Sequence, residues 1–205
     1  KRAVVFTGLA AEVGANRRKT KGEYLPDVTW WRSPYMASFS AGNFDFILIT
    51  AHIRWDKEKN RIKPLKELAE WIHKRVNSEN VLDKDIVLMG DFNIPEIDDE
   101  LFKAITSKGL EIPDSLRGLH GTNLAKTEHY DQILHYRKYN TLKGVGGVVD
   151  FFQEDWRSLF PKKAFPKIKT LLDFTYQISD HLPLWIQVDT WTADEILDQY
   201  MGKKN

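Results

Sequence analysis

The sequence predicts a layered α+β domain, a sandwich of strands with helices on its outside. Three observations carry that expectation. Short β-rich runs recur along the chain, two segments show helical periodicity, and no repeat or linker divides the 205 residues. The length corresponds to one domain, residues 1–205, with enough chain to bury a core. A composition that is 42% hydrophobic and 12% aromatic excludes the disordered class. No apolar run approaches the roughly eighteen residues of a membrane-spanning helix. Cysteine is absent, which removes disulfides, thiolate metal sites and cysteine nucleophiles together. None of this assigns a compartment.

Each element has a local reason. Ala3 to Phe6 reads as a strand, and Tyr35 to Ser40 with Phe44 to Thr50 as a hairpin turning at Ala41-Gly42-Asn43. Leu65, Leu68, Ala69, Ile72 and Val76 share one helical stripe, with Pro64 suited to the first turn. Asp85 to Met89 is short and apolar, as a buried strand should be. A second helix is expected over Asp98 to Thr106, stopping near Gly109. Tyr130 to Tyr136, Val145 to Phe152 and Leu182 to Val188 complete the strands, and Tyr139 to Gly147 reads as a glycine-bearing loop. Thr192-Ala193-Asp194-Glu195 has capping-box form and should start a last helix with Ile196, Leu197 and Tyr200 inward.

The net charge is only +1, but basic residues cluster at Arg17 to Lys21, Lys57 to Lys66 and Lys162 to Lys169. Such clusters suit a phosphate backbone, although each alone also reads as a solvated face. Chemistry concentrates where strands end. His52 closes Ile49-Thr50-Ala51-His52, and Asp91 and Asn93 follow Met89-Gly90. Asp131 opens a strand after Tyr130, and Asp180-His181 precedes Leu182-Pro183. Taken singly, each is also what a turn or a hydrogen-bonded structural histidine looks like. Together they supply hard oxygen ligands for Mg2+ or Ca2+, imidazoles for acid–base work, and an amide donor for a phosphoryl oxygen. That inventory suits phosphate-ester hydrolysis.

Gly90-Asp91-Phe92-Asn93, Tyr130-Asp131-Gln132-Ile133 and Ser179-Asp180-His181-Leu182-Pro183, in this order, resemble the endonuclease/exonuclease/phosphatase superfamily. The resemblance runs from about Arg2 to Val188. Within that superfamily the sequence is most similar to deoxyribonuclease I, through Arg32-Ser33-Pro34, Thr50-Ala51-His52, and Ile112-Pro113-Asp114-Ser115 with Thr122 and Tyr130-Asp131. Gln132 stands where that enzyme has an arginine, and its cysteines are missing. The resemblance implies a two-sheet sandwich flanked by helices.

It also implies roles. Asp180 would be a ligand or an outer partner of a divalent metal, and Asp91 would bind that metal or align the water; the metal would be Mg2+, with Ca2+ or Mn2+ as alternatives. His181, oriented by Asp131, would be the general base; His52 would protonate the leaving oxygen or hold the phosphate. Arg32, Asn93 and Thr122 would bind phosphate, and the substrate would be DNA, cut with low sequence specificity. Members of the superfamily begin with a strand carrying asparagine and then a glutamine–glutamate element whose glutamate holds the metal. Neither is found, so the chain is expected to lack the leading strands and to be poorly active alone. Two further readings remain open: an inositol-phosphate or sphingomyelin hydrolase of the same fold, and a non-catalytic DNA- or protein-binding fragment.

Overall fold

The computed structural model describes residues 3–14, 17–20, 23–26, 30–81, 83–136, 144–151, 156–188, 190, 197–198 and 200–202. Its first strand, β1 (Val5–Glu12), is followed by a ribbon of β2 (Arg17–Thr20) and β3 (Glu23–Pro26). The hairpin of β4 (Tyr35–Ala41) and β5 (Phe44–His52) leads into helix α1 (Glu58–Val76) and strand β6 (Ile86–Asp91). Helix α2 (Glu100–Thr106), β7 (Leu110–Glu111) and β8 (Asp131–Tyr136) come next. The last elements are β9 (Gly146–Val148), α3 (Trp156–Leu159), α4 (Leu171–Thr175) and β10 (Leu184–Ile186).

One mixed sheet, ordered β1-β4-β5-β6-β8-β7, organises the molecule. Only β5 and β6 run parallel, which sends the chain between them through α1. That helix lays Leu65, Leu68, Ala69, Ile72 and Val76 on the sheet, all fully buried. Leu101, Ala104 and Ile105 of α2 join the same core. Asp99 caps α2, accepting the Phe102 amide. On the other side β9 and β10 form a two-stranded sheet whose Leu184 and Ile186 pack on that core. The layers are therefore those of an α+β sandwich, with a small second sheet among the described residues.

A second, smaller cluster lies under the chain that carries His181. Ile168, Phe174 and Leu182 are buried there, and Phe174 meets Phe151, Trp156 and Phe160 ring to ring. Leu182, next in sequence to His181, is wholly buried and fixes that segment from below.

Several expectations are corrected. Helix α1 begins at Glu58, so Pro64 sits inside it and not in its first turn. Six residues of the charged cluster before Pro64 thus become helix, because the apolar stripe runs back through Arg61, four residues before Leu65. Gly146 and Gly147 are strand and not loop; they pair with Ile186 and Trp185, where the indole packs against Gly147. The strands expected over Val145 to Phe152 and Leu182 to Val188 shrink to three residues each. Leu197 and Tyr200 are exposed and not inward, since no described element covers them. Thr192 to Ile196 lie outside the described residues, as do Lys21 and the side chains of Arg17 to Thr20. Of the adjacent pair Trp30-Trp31, the first is buried and the second exposed.

His135 on β8 gives the fold a pH dependence. Its side chain is buried, its Nε2 lies 3.8 Å from Glu111, and its Nδ1 has no hydrogen-bond partner. Burial pushes its pKa below the usual histidine value, against the pull of the Glu111 carboxylate. A histidine depressed in this way is neutral in the fold but takes a proton in the unfolded chain once pH falls below about 6.5. Stability from this residue is therefore complete above that pH and is lost below it, down to the folded pKa. Urea unfolding at pH 7.5, 6.5 and 5.5 should show the wild type losing ground to His135→Gln as pH falls, by about 1.4 kcal/mol per pH unit at most. A gap that stays constant with pH would refute this.

Candidate active site

The site is assembled by strand register. His52 pairs with Asp91 across the parallel β5–β6 ladder, and Asp91 pairs with Asp131 across the antiparallel β6–β8 ladder. Three chemically active side chains thus stand in one row at the end of the sheet. Close approach of the strands requires Gly90, whose φ of +144° and contact with the Ala51 carbonyl leave no room for a Cβ.

His181 completes the row from outside the sheet. It makes a β-bridge with Asn123, and the Leu182 amide donates to the Thr122 carbonyl at 2.6 Å. Its Nδ1 lies 2.8 Å from Asp131 Oδ2. A carboxylate only accepts, so the neutral imidazole carries its proton on Nδ1 and presents Nε2 as a base. The Asp131 bond raises the His181 pKa; burial opposes this, and the charges of Asp91 and Asp180 add to the rise.

On the other flank, Arg32 Nη1 lies 2.8 Å from His52 Nδ1. Guanidinium only donates, so here the Nδ1 accepts and the ring proton sits on Nε2, 3.8 Å from Asp91 Oδ2. The two histidines therefore present opposite faces of opposite tautomers. Asp91 Oδ1 accepts the Asn93 amide at 2.9 Å, closing the turn in which Asn93 takes a φ of +52°. Burial raises the Asp91 pKa; the Asn93 amide works against this, and the Asp131 charge adds to it.

Asp91, Asp131 and His181 each offer a ligand atom within 4.8 Å of the others, which makes them a group able to hold a metal ion. The donor set fits a hard divalent cation: two carboxylates crowd together, and a cation there would relieve the repulsion that adds to the burial of Asp91 in raising its pKa. Asp180, expected as a ligand or an outer partner of the metal, is exposed and lies outside this group; its charge adds to the rise at His181. Thr122, expected to bind phosphate, is only 1% exposed. Its hydroxyl accepts the Asp131 amide at 3.2 Å, so it positions Asp131 and does not face a substrate. Asn93 is also buried, with Nδ2 donating to the Ile53 carbonyl at 2.8 Å.

Sequence reasoning missed Arg61. It is buried, it donates to the Asn93 carbonyl, and its guanidinium lies under Trp55. The signal was a charged residue on the apolar stripe of α1. Tyr130 and Trp55 were likewise given no role, although Tyr130 lies 5.7 Å from the His181 ring.

Neither a family model nor any curated protein matches the chain. Solved structures do. A functionally unknown conserved protein from Enterococcus faecalis superposes with a TM-score of 0.55 at 17% identity, covering 91% of this chain and 67% of that one. TDP2 of D. rerio, complexed with a single strand DNA product, gives 0.54 at 15% identity, covering 92% and 69%. The likeness is one of fold: this chain shares the α+β architecture of these two structures. An endonuclease/exonuclease/phosphatase family protein from Leptotrichia buccalis gives 0.47 at 16% identity, covering 89% and 61%. The chain spans between 61% and 69% of the length of these structures.

Thr122→Val tests how Asp131 is held, since valine keeps the shape and removes the acceptor. A buried amide left unpaired should lower the unfolding free energy by about 1–2 kcal/mol. Thermal and urea melts measure it, and an unchanged midpoint would exclude the bond as a support.

Proposed function

We propose that the chain is a divalent-metal-dependent phosphodiesterase that hydrolyses the DNA backbone with low sequence specificity. One observation carries this reading: the sheet register sets His52, Asp91 and Asp131 side by side, and His181 is bonded through Nδ1 to Asp131 at 2.8 Å. A base with a fixed tautomer, a second imidazole beside a guanidinium, and paired carboxylates are what hydrolysis of a phosphodiester requires.

His181 Nε2 takes the proton of the attacking water, and Asp131 stabilises the imidazolium that results. Asp91 and Asp131 would hold Mg2+, for which Ca2+ or Mn2+ are alternatives, and the bound cation supplies charge neutralisation at the phosphate. Arg32 binds a non-bridging oxygen by charge-assisted hydrogen bonds. His52, with its proton on Nε2, donates to the leaving oxygen or to the phosphate. The second N–H of Asn93 Nδ2 and the Asp91-held turn shape the floor beneath. Asp180 raises the basicity of His181 from outside. DNA as the substrate draws support from Arg32, from the basic residues of the Lys57 to Lys66 segment, and from the likeness to deoxyribonuclease I. No helix among the described residues is long and apolar enough to cross a membrane.

Nicking of supercoiled plasmid in Mg2+ or Ca2+, with and without EDTA, tests the reading. Chelator-sensitive nicking is expected, with His181→Ala slower by about 10²- to 10⁴-fold. Release of inorganic phosphate from inositol phosphates with plasmid left intact would replace this reading with a phosphomonoesterase. A folded protein inert toward every phosphate ester would end it.

A further inference from the structure

Trp55 follows β5 closely and keeps most of its indole in water, at 58% exposure. Single exposed apolar side chains are ordinary on protein surfaces. This one is held on two sides. The Arg61 guanidinium lies 4.7 Å from the centre of its ring, and Tyr130 meets it edge-on at 5.7 Å with an interplanar angle of 77°. Tyr130 in turn lies 5.7 Å from the His181 imidazole. The indole is thus fixed one aromatic ring away from the group that takes the water's proton.

Arg61 makes the arrangement informative. It is 6% exposed, donates to the Asn93 carbonyl, and has a buried Nε without a hydrogen-bond partner. Among the described residues no carboxylate forms an ion pair with it. A buried cation with no counter-ion therefore stands directly behind the indole. A second cation on the open face would be repelled by the first, so a quaternary ammonium headgroup is disfavoured. An inositol ring has no flat π face to offer. A nucleobase has one, carries no charge, and brings with it a phosphate that both Arg61 and Arg32 attract.

We infer that Trp55 is a stacking platform for one nucleobase of the strand whose phosphate enters between Arg32, His52 and His181. The inference rests on the phosphodiesterase reading for that phosphate. A base inside a duplex is stacked on both faces, so the platform takes a base from a single strand, an end or a distorted step. Stacking of this kind tolerates every base, which fits cleavage with little sequence preference.

Binding without turnover tests it. Fluorescence anisotropy in EDTA would compare a labelled thymidine oligonucleotide with an abasic strand of equal length and charge, for wild type, Trp55→Ala and Trp55→Phe. Wild type should prefer the base-bearing strand. Trp55→Ala should raise its Kd by about 5- to 150-fold while leaving the abasic strand unchanged, and Trp55→Phe should recover most of the loss. Equal weakening for both strands, no weakening for either, or no binding to either overturns the inference. Displacement of the oligonucleotide by phosphocholine in wild type, absent in Trp55→Ala, overturns it in favour of a quaternary ammonium site. Plasmid nicking separates the two readings. Nicking without base-dependent binding removes the platform and leaves the phosphodiesterase; base-dependent binding without cleavage of any ester does the reverse.

Discussion

Everything at the candidate site hangs on the pairing of β6 with its two neighbours. The parallel ladder to β5 and the antiparallel ladder to β8 put residues 52, 91 and 131 opposite one another. A slip of one residue in either ladder would turn a side chain to the other face of the sheet and bury a carboxylate or imidazole in the core. The apolar residues along β6 forbid such a slip, since Ile86, Val87 and Leu88 are all buried. Core packing thus fixes the active groups, and Gly90 lets the strands come close enough for it to do so.

The same economy appears at Thr122. Its hydroxyl holds the start of β8 and its carbonyl holds the chain beyond His181, so one buried residue sets both partners of the Asp131–His181 bond. Both ends of that 2.8 Å bond are therefore held by backbone contacts to one residue. Leu182, sunk in the Phe174 cluster, prevents the loop from lifting the imidazole away.

How much of this was legible depended on whether the chemistry was local. The strand-terminal motifs around His52, Asp91, Asp131 and His181 could be read because polar groups broke apolar runs at fixed points. The helix start could not, because Pro64 is a strong local signal for a first turn and four of the six residues before it are charged. Tertiary context overrode it: α1 extends back to Glu58, which turns Arg61 from a surface charge into a buried one. Thr122 misled for the opposite reason. Its motif position pointed to phosphate, whereas burial and a single backbone amide determine what its hydroxyl can do. Asp180 stands beside the right residue in sequence, but it lies outside the group of Asp91, Asp131 and His181, and no spacing in sequence reveals that.

The electrostatics of the site divide along the row. Toward β8 the carboxylates accumulate: burial raises the Asp91 pKa and the Asp131 charge adds to it, while the Asp131 hydrogen bond raises that of His181. The other flank carries two guanidiniums, Arg32 on one imidazole and Arg61 beneath the Asn93 turn. A lone anion would be repelled by the first side and a lone cation by the second. A phosphodiester together with a divalent cation would satisfy both, since the cation would quench the carboxylates while the phosphate oxygens met the guanidinium. In the proposed reading the strand would approach from the flank of Arg61, where the indole of Trp55 would offer its base a surface that asks for no charge.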